Sequence, residues 1–248
     1  MASISALPPL AIDMYLPAIP GMAQNLDTEI STVQNSLSIF LLSFGFGMLF
    51  FGPLADKYGR RPLALFGLAG FGLASLGLTL SPSAEAFLFF RFFQGLLGSA
   101  ATIVIPAMIR DCFGKDTAKG MSTVTMIMLT APLVAPLIGS GLLIISDWRA
   151  IFFFLTGYSL VVFLFTLWKL PETLSTKPKK QEPSFLKNYL HIFTTATIYP
   201  FLATFLMSSL AFFTYLTSAP FVYITWFGMT EIQFGFIFTT TAAYLILA

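Results

Sequence analysis

Gly52-Pro-Leu-Ala-Asp-Lys-Tyr-Gly-Arg-Arg-Pro62 is a short charged stretch between two long apolar runs. Pro53 lies near the end of the first run, where it removes a backbone donor. Asp56 and Lys57 mark the exit from an apolar medium, and Gly59 is free to take the positive φ of a tight reversal. Arg60 and Arg61 are the kind of charge that holds a loop on the cytoplasmic side of a membrane. Pro62 falls where the next helix begins and a missing N–H costs little. Read on its own, the stretch is a basic turn between two membrane helices.

Composition agrees with that setting. The chain is 56% hydrophobic and 10% charged, with a mean hydropathy of +0.84, whereas a soluble domain carries about 25% charged residues. Eight apolar runs lie at about residues 3–23, 32–55, 63–80, 85–109, 119–145, 150–169, 198–224 and 232–248. Each is near the ~20 residues that cross a bilayer. The first has no basic start and carries Pro8, Pro9, Asp13 and Pro17, so it reads as a mature span and not a cleaved signal.

Charge placement orients the chain. Taking alternate connections, one set holds Lys57, Arg60, Arg61, Arg110, Lys115, Lys119, Lys169, Lys177, Lys179, Lys180 and Lys187. The other set holds Arg149, and Arg91 sits within a run. This bias predicts a multi-pass membrane protein with a cytoplasmic amino terminus. The longest polar segment divides the chain into three: residues 1–170 as a six-helix bundle, 171–197 as a cytoplasmic linker, and 198–248 as the first two helices of a second bundle.

Several chemistries are excluded. His191 is the only histidine and Cys112 the only cysteine, so neither a histidine-based triad nor a Cys/His metal site can form. No G-x-x-x-x-G-K-[ST] occurs, so ATP is not the energy source. Neither an enzyme nor a cofactor is expected. Two interior charges are the candidates for function. Asp13, in the first run, is an ionisable group at membrane depth and must face a cavity or partner. Pro17 and Pro20 break the helix beside it. Arg91, in Phe89-Phe-Arg-Phe-Phe-Gln-Gly, is flanked by four phenylalanines, and either reaches the membrane surface or remains desolvated. It cannot release its proton, but it can tune a nearby acid.

The stretch at 52–62 resembles the loop between helices two and three of the major facilitator superfamily, G-x-L-A-D-x-x-G-R-R/K, with Gly52, Asp56, Gly59, Arg60 and Arg61 in place. Arg91, Gln94 and Gly95 resemble the fourth-helix R-x-x-Q-G. Pro132, Pro136 and Gly139 resemble the fifth-helix antiporter pattern P-x-x-x-P-x-x-G-G, with Ser140 in place of its second glycine. The segment from Asp13 to Pro20 and Ser218-Ala-Pro-Phe221 are similar to the Bcr/CflA drug-resistance subfamily, and Leu170-Pro-Glu-Thr173 to the usual exit of the sixth helix.

The resemblance implies an all-α membrane protein of the major facilitator fold, with about eight transmembrane helices of an expected twelve, truncated towards its carboxyl terminus. It implies a proton/drug antiporter in a bacterial inner membrane that exports small lipophilic compounds by alternating access. Asp13, Tyr15, Arg91 and Gln94 would bind proton or substrate, the 52–61 stretch would gate, and Asp56 would lack its usual partner on an eleventh helix. Two alternatives stay open: an uptake carrier for a small metabolite, and an inactive fragment.

Overall fold

The computed structural model describes residues 1–174, 194 and 198–247, and among them every regular element is helical. Apart from residues 171–174 and 194, the linker expected at 171–197, with His191 in it, lies outside the described residues.

The first span is built in pieces. α1 (Ala2–Ser5), α2 (Leu7–Asp13), a 3-10 turn (Leu16–Ala18) and α3 (Ile19–Asn25) follow one another closely. Its prolines explain the breaks: Pro17 and Pro20 cannot donate to the carbonyls four residues before them. α4 (Ile30–Tyr58) runs unbroken through Pro53, and α5 (Arg60–Thr79) starts after a single residue, Gly59, with φ +106°. The expected loop is therefore not a loop. Residues 52–58 are the last turns of α4, and the reversal is carried by one glycine.

α6 (Ala84–Thr102) is capped by Ser83, whose hydroxyl accepts from the Ala86 N–H at 3.3 Å. The fourth apolar run does not continue as one helix. It breaks at Ile103 and Val104 and resumes as α7 (Ile105–Phe113), because Pro106 has no N–H to offer the preceding turn. A 3-10 turn (Gly114–Asp116) leads to α8 (Thr117–Ile145), which stays helical through Pro132 and Pro136. α9 (Arg149–Lys169), α10 (Tyr199–Pro220), a π turn (Phe221–Trp226) and α11 (Glu231–Leu247) complete the order.

Six helical stretches among the described residues are long and apolar enough to cross a membrane. One of them, Ala84–Ile145, has 62 residues. At 1.5 Å per residue that is about 93 Å, three times the hydrocarbon thickness, so it must fold back. It does so at Gly114, where φ is +51°, and supplies two crossings. Seven crossings follow from these lengths, and α11, about 25 Å long, stands where the apolar runs predict an eighth.

α6 lies against α4 and α5, α5 against α9, and α11 against α8. The principal core gathers residues from the broken first span, α4, α5, α6 and α9, together with Leu216, Ala219, Phe234 and Phe238 of the last two helices. The outward surface is Leu and Phe, with Leu42 at 72% and Phe201 at 76% exposed. Faces of this kind and extent require lipid and not water. Lys169, Trp168 and Tyr58 stand exposed near the helix ends, as interfacial residues do.

Candidate functional site

The broken first span leaves the last carbonyls of α2 without helical partners. One of them is put to use by the fourth span. Arg91 Nη1 donates to the Ala11 carbonyl at 3.0 Å and to Gln94 Oε1 at 2.7 Å. Gln94 Nε2 in turn donates to Ser75 Oγ at 2.8 Å, and the Ser75 hydroxyl to the Phe71 carbonyl at 2.8 Å. The arginine is fully buried.

Its apolar surroundings are not the phenylalanines beside it in sequence. Phe89, Phe92 and Phe93 face outward. The guanidinium carbon lies instead over Tyr15 at 4.2 Å, Phe40 at 5.0 Å and Phe152 at 5.6 Å, contributed by three other spans. Tyr15 is held by a 3.2 Å hydrogen bond between its hydroxyl and that of Ser36. A desolvated cation–π contact is worth about 2 kcal/mol. Three such faces and two charge-assisted hydrogen bonds are of the order of the several kcal/mol that burying the ion costs. Nε and Nη2 nonetheless have no hydrogen-bond partner among the described residues.

Asp13 ends α2 and is buried, at 4% exposure. No ion pair joins it to Arg91 among the described residues. The arginine instead holds the backbone two residues before the acid. Tyr15, Arg91 and Gln94 are thus brought together, with Asp13 on the adjoining turn. Glu85 lies on the surface and does not reach Arg91. Two cavities, one of about 400 Å³ between α1 and α9 and one of about 290 Å³ between α5 and α9, are lined by neither Asp13 nor Arg91.

At the α4–α5 reversal, Arg60 is almost fully buried. Its Nη1 donates to Asp111 Oδ2, to the Ala107 carbonyl at 3.2 Å and to Thr173 Oγ1 at 3.3 Å. Its Nη2 lies 3.8 Å from Asp56 Oδ1, and Asp56 itself is exposed. Arg61 Nη2 donates to the Leu167 carbonyl at 2.6 Å. The two arginines are therefore more than topology markers: they bind the end of α4 and the start of α5 to α7 and α9. Gly52 is less constrained, since an added Cβ would meet Ile103 at an ordinary 3.9 Å. Asp111 was not singled out by sequence, and Thr173 was read only as part of a helix exit. Their signal, an acid beside Cys112 and a hydroxyl after a helix exit, is too common to stand out.

The antiporter-like segment of α8 faces the first span and α11. A Cβ on Gly139 would collide with the Met14 carbonyl, so only glycine permits this approach. Ser140 Oγ donates to the Glu231 carbonyl at 2.8 Å, and Thr239 Oγ1 to the Leu133 carbonyl, between the two prolines, at 2.8 Å. Gln34 Nε2 donates to the Thr217 carbonyl at 2.7 Å, tying α4 to α10. Gly139→Val is expected to cost about 1–3 kcal/mol by overpacking against backbone that cannot yield. Ser140→Gly removes one hydrogen bond, worth about 1 kcal/mol. Denaturation of the purified chain in detergent should rank them in that order, and equal midpoints would refute the close contact at Gly139.

The Major Facilitator Superfamily model matches residues 1–248. A bicyclomycin resistance protein homolog of Haemophilus influenzae is 35% identical over 99% of this chain and 62% of its own length. A chloramphenicol resistance protein of Pseudomonas aeruginosa is 32% identical over 99% of this chain and 58% of its own. The chain thus spans about three fifths of these relatives. Among solved structures, a bacterial homolog of the human lysosomal transporter Spinster, in an inward-facing and unoccupied conformation, superposes with a TM-score of 0.79 at 14% identity, covering 98% of this chain and 57% of that one. With its whole length matched, this chain belongs to the major facilitator superfamily.

Proposed function

We propose that this chain is the larger part of a proton-coupled exporter of small lipophilic compounds in a bacterial inner membrane, with its amino terminus in the cytoplasm. The observation that carries the reading is the buried pair of unmatched charges: among the described residues Asp13 has no ion partner, and Arg91 has two nitrogens, Nε and Nη2, without an acceptor. Lone charges at membrane depth are costly and are kept where ions or substrates move. The drug-resistance names of the relatives support the substrate class.

In this mechanism Asp13 exchanges a proton with one side of the membrane and, when charged, favours a cationic or polar drug group nearby. Arg91 fixes the turn that carries Asp13 through the Ala11 carbonyl and holds a constant positive potential beside it. Tyr15 and Gln94 orient the guanidinium. The face of α8 that carries Gly139 is part of the surface that slides during alternating access, and the α4–α5 reversal closes the cytoplasmic gate. Each proton entering down the gradient contributes about 2.3 kcal/mol per 100 mV.

A second reading is favoured by the three-fifths coverage: a chain that inserts but does not cycle. One assay addresses both. Cells expressing the chain are loaded with a fluorescent lipophilic cation, with and without a protonophore. Lower accumulation that the protonophore restores is the expected result, and Asp13→Asn should abolish it while leaving membrane insertion unchanged. Asp13→Asn cells that still export would sink the role of that acid. An inserted parent chain without any effect would favour the non-cycling reading.

A further inference from the structure

The helix that leaves the sixth crossing ends in Leu170-Pro-Glu-Thr173, and the carboxylate of Glu172 does not point into solvent alone. Oε1 accepts from the Arg60 N–H at 3.2 Å, and Oε2 from the Arg61 N–H at 3.1 Å. Oε1 also accepts from the N–H groups of Thr173 at 2.9 Å and Leu174 at 2.8 Å. Arg60 and Arg61 are the first two residues of α5, whose amides have no helical acceptors of their own. No residue next to α5 in sequence caps it: the preceding residue is Gly59, which has no side chain.

Gly59 is shaped by the same contact. Its φ of +106° already disfavours any side chain, and an added Cβ would lie 2.7 Å from Glu172 Oε2. The glycine thus both turns the chain and leaves the space that the carboxylate occupies. Thr173, one residue on, accepts from Arg60 Nη1 at 3.3 Å. Two adjacent residues of the α9 exit therefore hold Arg60 twice, at its backbone and at its guanidinium.

We propose that Glu172 is a positioning residue for the α4–α5 reversal: by capping α5 from a distance of more than a hundred residues it fixes where Arg60 projects, and so holds Arg60 against Asp111. The role concerns a conformation and does not rest on transport. The electrostatics are consistent with it. Partial burial tends to raise the Glu172 carboxyl, but the N–H groups of Leu174, Arg60, Arg61 and Thr173 outweigh it and hold the group below the ordinary glutamate range. A carboxyl lowered in the native state contributes above its unfolded value, and the contribution is lost as pH falls through the lowered one. The other charged groups at these helix ends are Asp56 and Lys57 on α4, Arg60 and Arg61 on α5, Arg110 and Asp111 on α7, and Lys169 on α9.

The test is amide hydrogen exchange of the full chain in lipid nanodiscs, read on peptides that cover Arg60 and Arg61. In the parent these two amides should be protected at neutral pH. Protection should fall away in acid, after correction for the intrinsic pH dependence of exchange. In Glu172→Gln and Glu172→Ala they should exchange roughly tenfold faster, the size of effect expected for losing a helix cap. The acid-dependent step should vanish, while amides in the middle of α5 stay unchanged. Thr173→Val, which loses the side-chain contact and keeps the cap, should leave them protected. Parent-like protection with the acid step intact in Glu172→Gln would overturn the proposal. Should the alanine variant lose protection throughout α5 by misfolding, the near-isosteric glutamine variant decides.

Discussion

Hydrocarbon offers no hydrogen bonds, and a helix that breaks in or beside it must find partners for the groups it frees. Where a helix is continuous it satisfies itself. Where it is not, something else must answer for the freed groups. The break after α2 exposes carbonyls, and Arg91 takes one of them. The break at Gly59 exposes amides, and Glu172 takes two. Arg91 and Glu172 each sit where the backbone has been interrupted, with the sign that the interruption calls for, a cation on carbonyls and an anion on amides, whereas Asp13, at the carboxyl end of α2, has the opposite sign.

That complementarity also separates the two charged regions by purpose. At the reversal Arg60 is matched by Asp111 and Asp56, and two free amides by Glu172, although Nε of Arg60 and of Arg61 has no acceptor among the described residues. Such a cluster holds a shape. Around Arg91 the charge is not matched: aromatic faces surround the cation, two of its nitrogens have no acceptor among the described residues, and the nearest buried acid on the chain is not paired with it. An arrangement left unbalanced in a medium of low dielectric responds strongly to any ion or proton that enters.

The spans were legible in the sequence because hydropathy is a property of each segment by itself. The reversal was legible because Gly59 and its arginines are contiguous. The internal break at Ile103 was not read, although Pro106 signalled it, since the apolar run continues past it. The environment of Arg91 was misjudged in its particulars. Phe89, Phe92 and Phe93 are its neighbours along the chain, but the helix turns them outward, and the rings that meet the guanidinium come from Tyr15, Phe40 and Phe152. The partners of Asp111 and of Glu172 escaped for the same reason. Contacts across 51 and 112 residues are set by how helices assemble, and a lone acid at a helix end announces nothing of its partner.

The cap on α5 has a consequence for how such proteins can be recombined. Glu172 and Thr173 lie beyond the last turn of α9, at the point where a designer or a gene fusion would naturally cut. A chimera joined before Pro171 would inherit the α4–α5 reversal without the residues that finish it, whereas a junction after Leu174 keeps the unit whole. The unit that the first six crossings form therefore extends several residues beyond the end of α9 at Lys169.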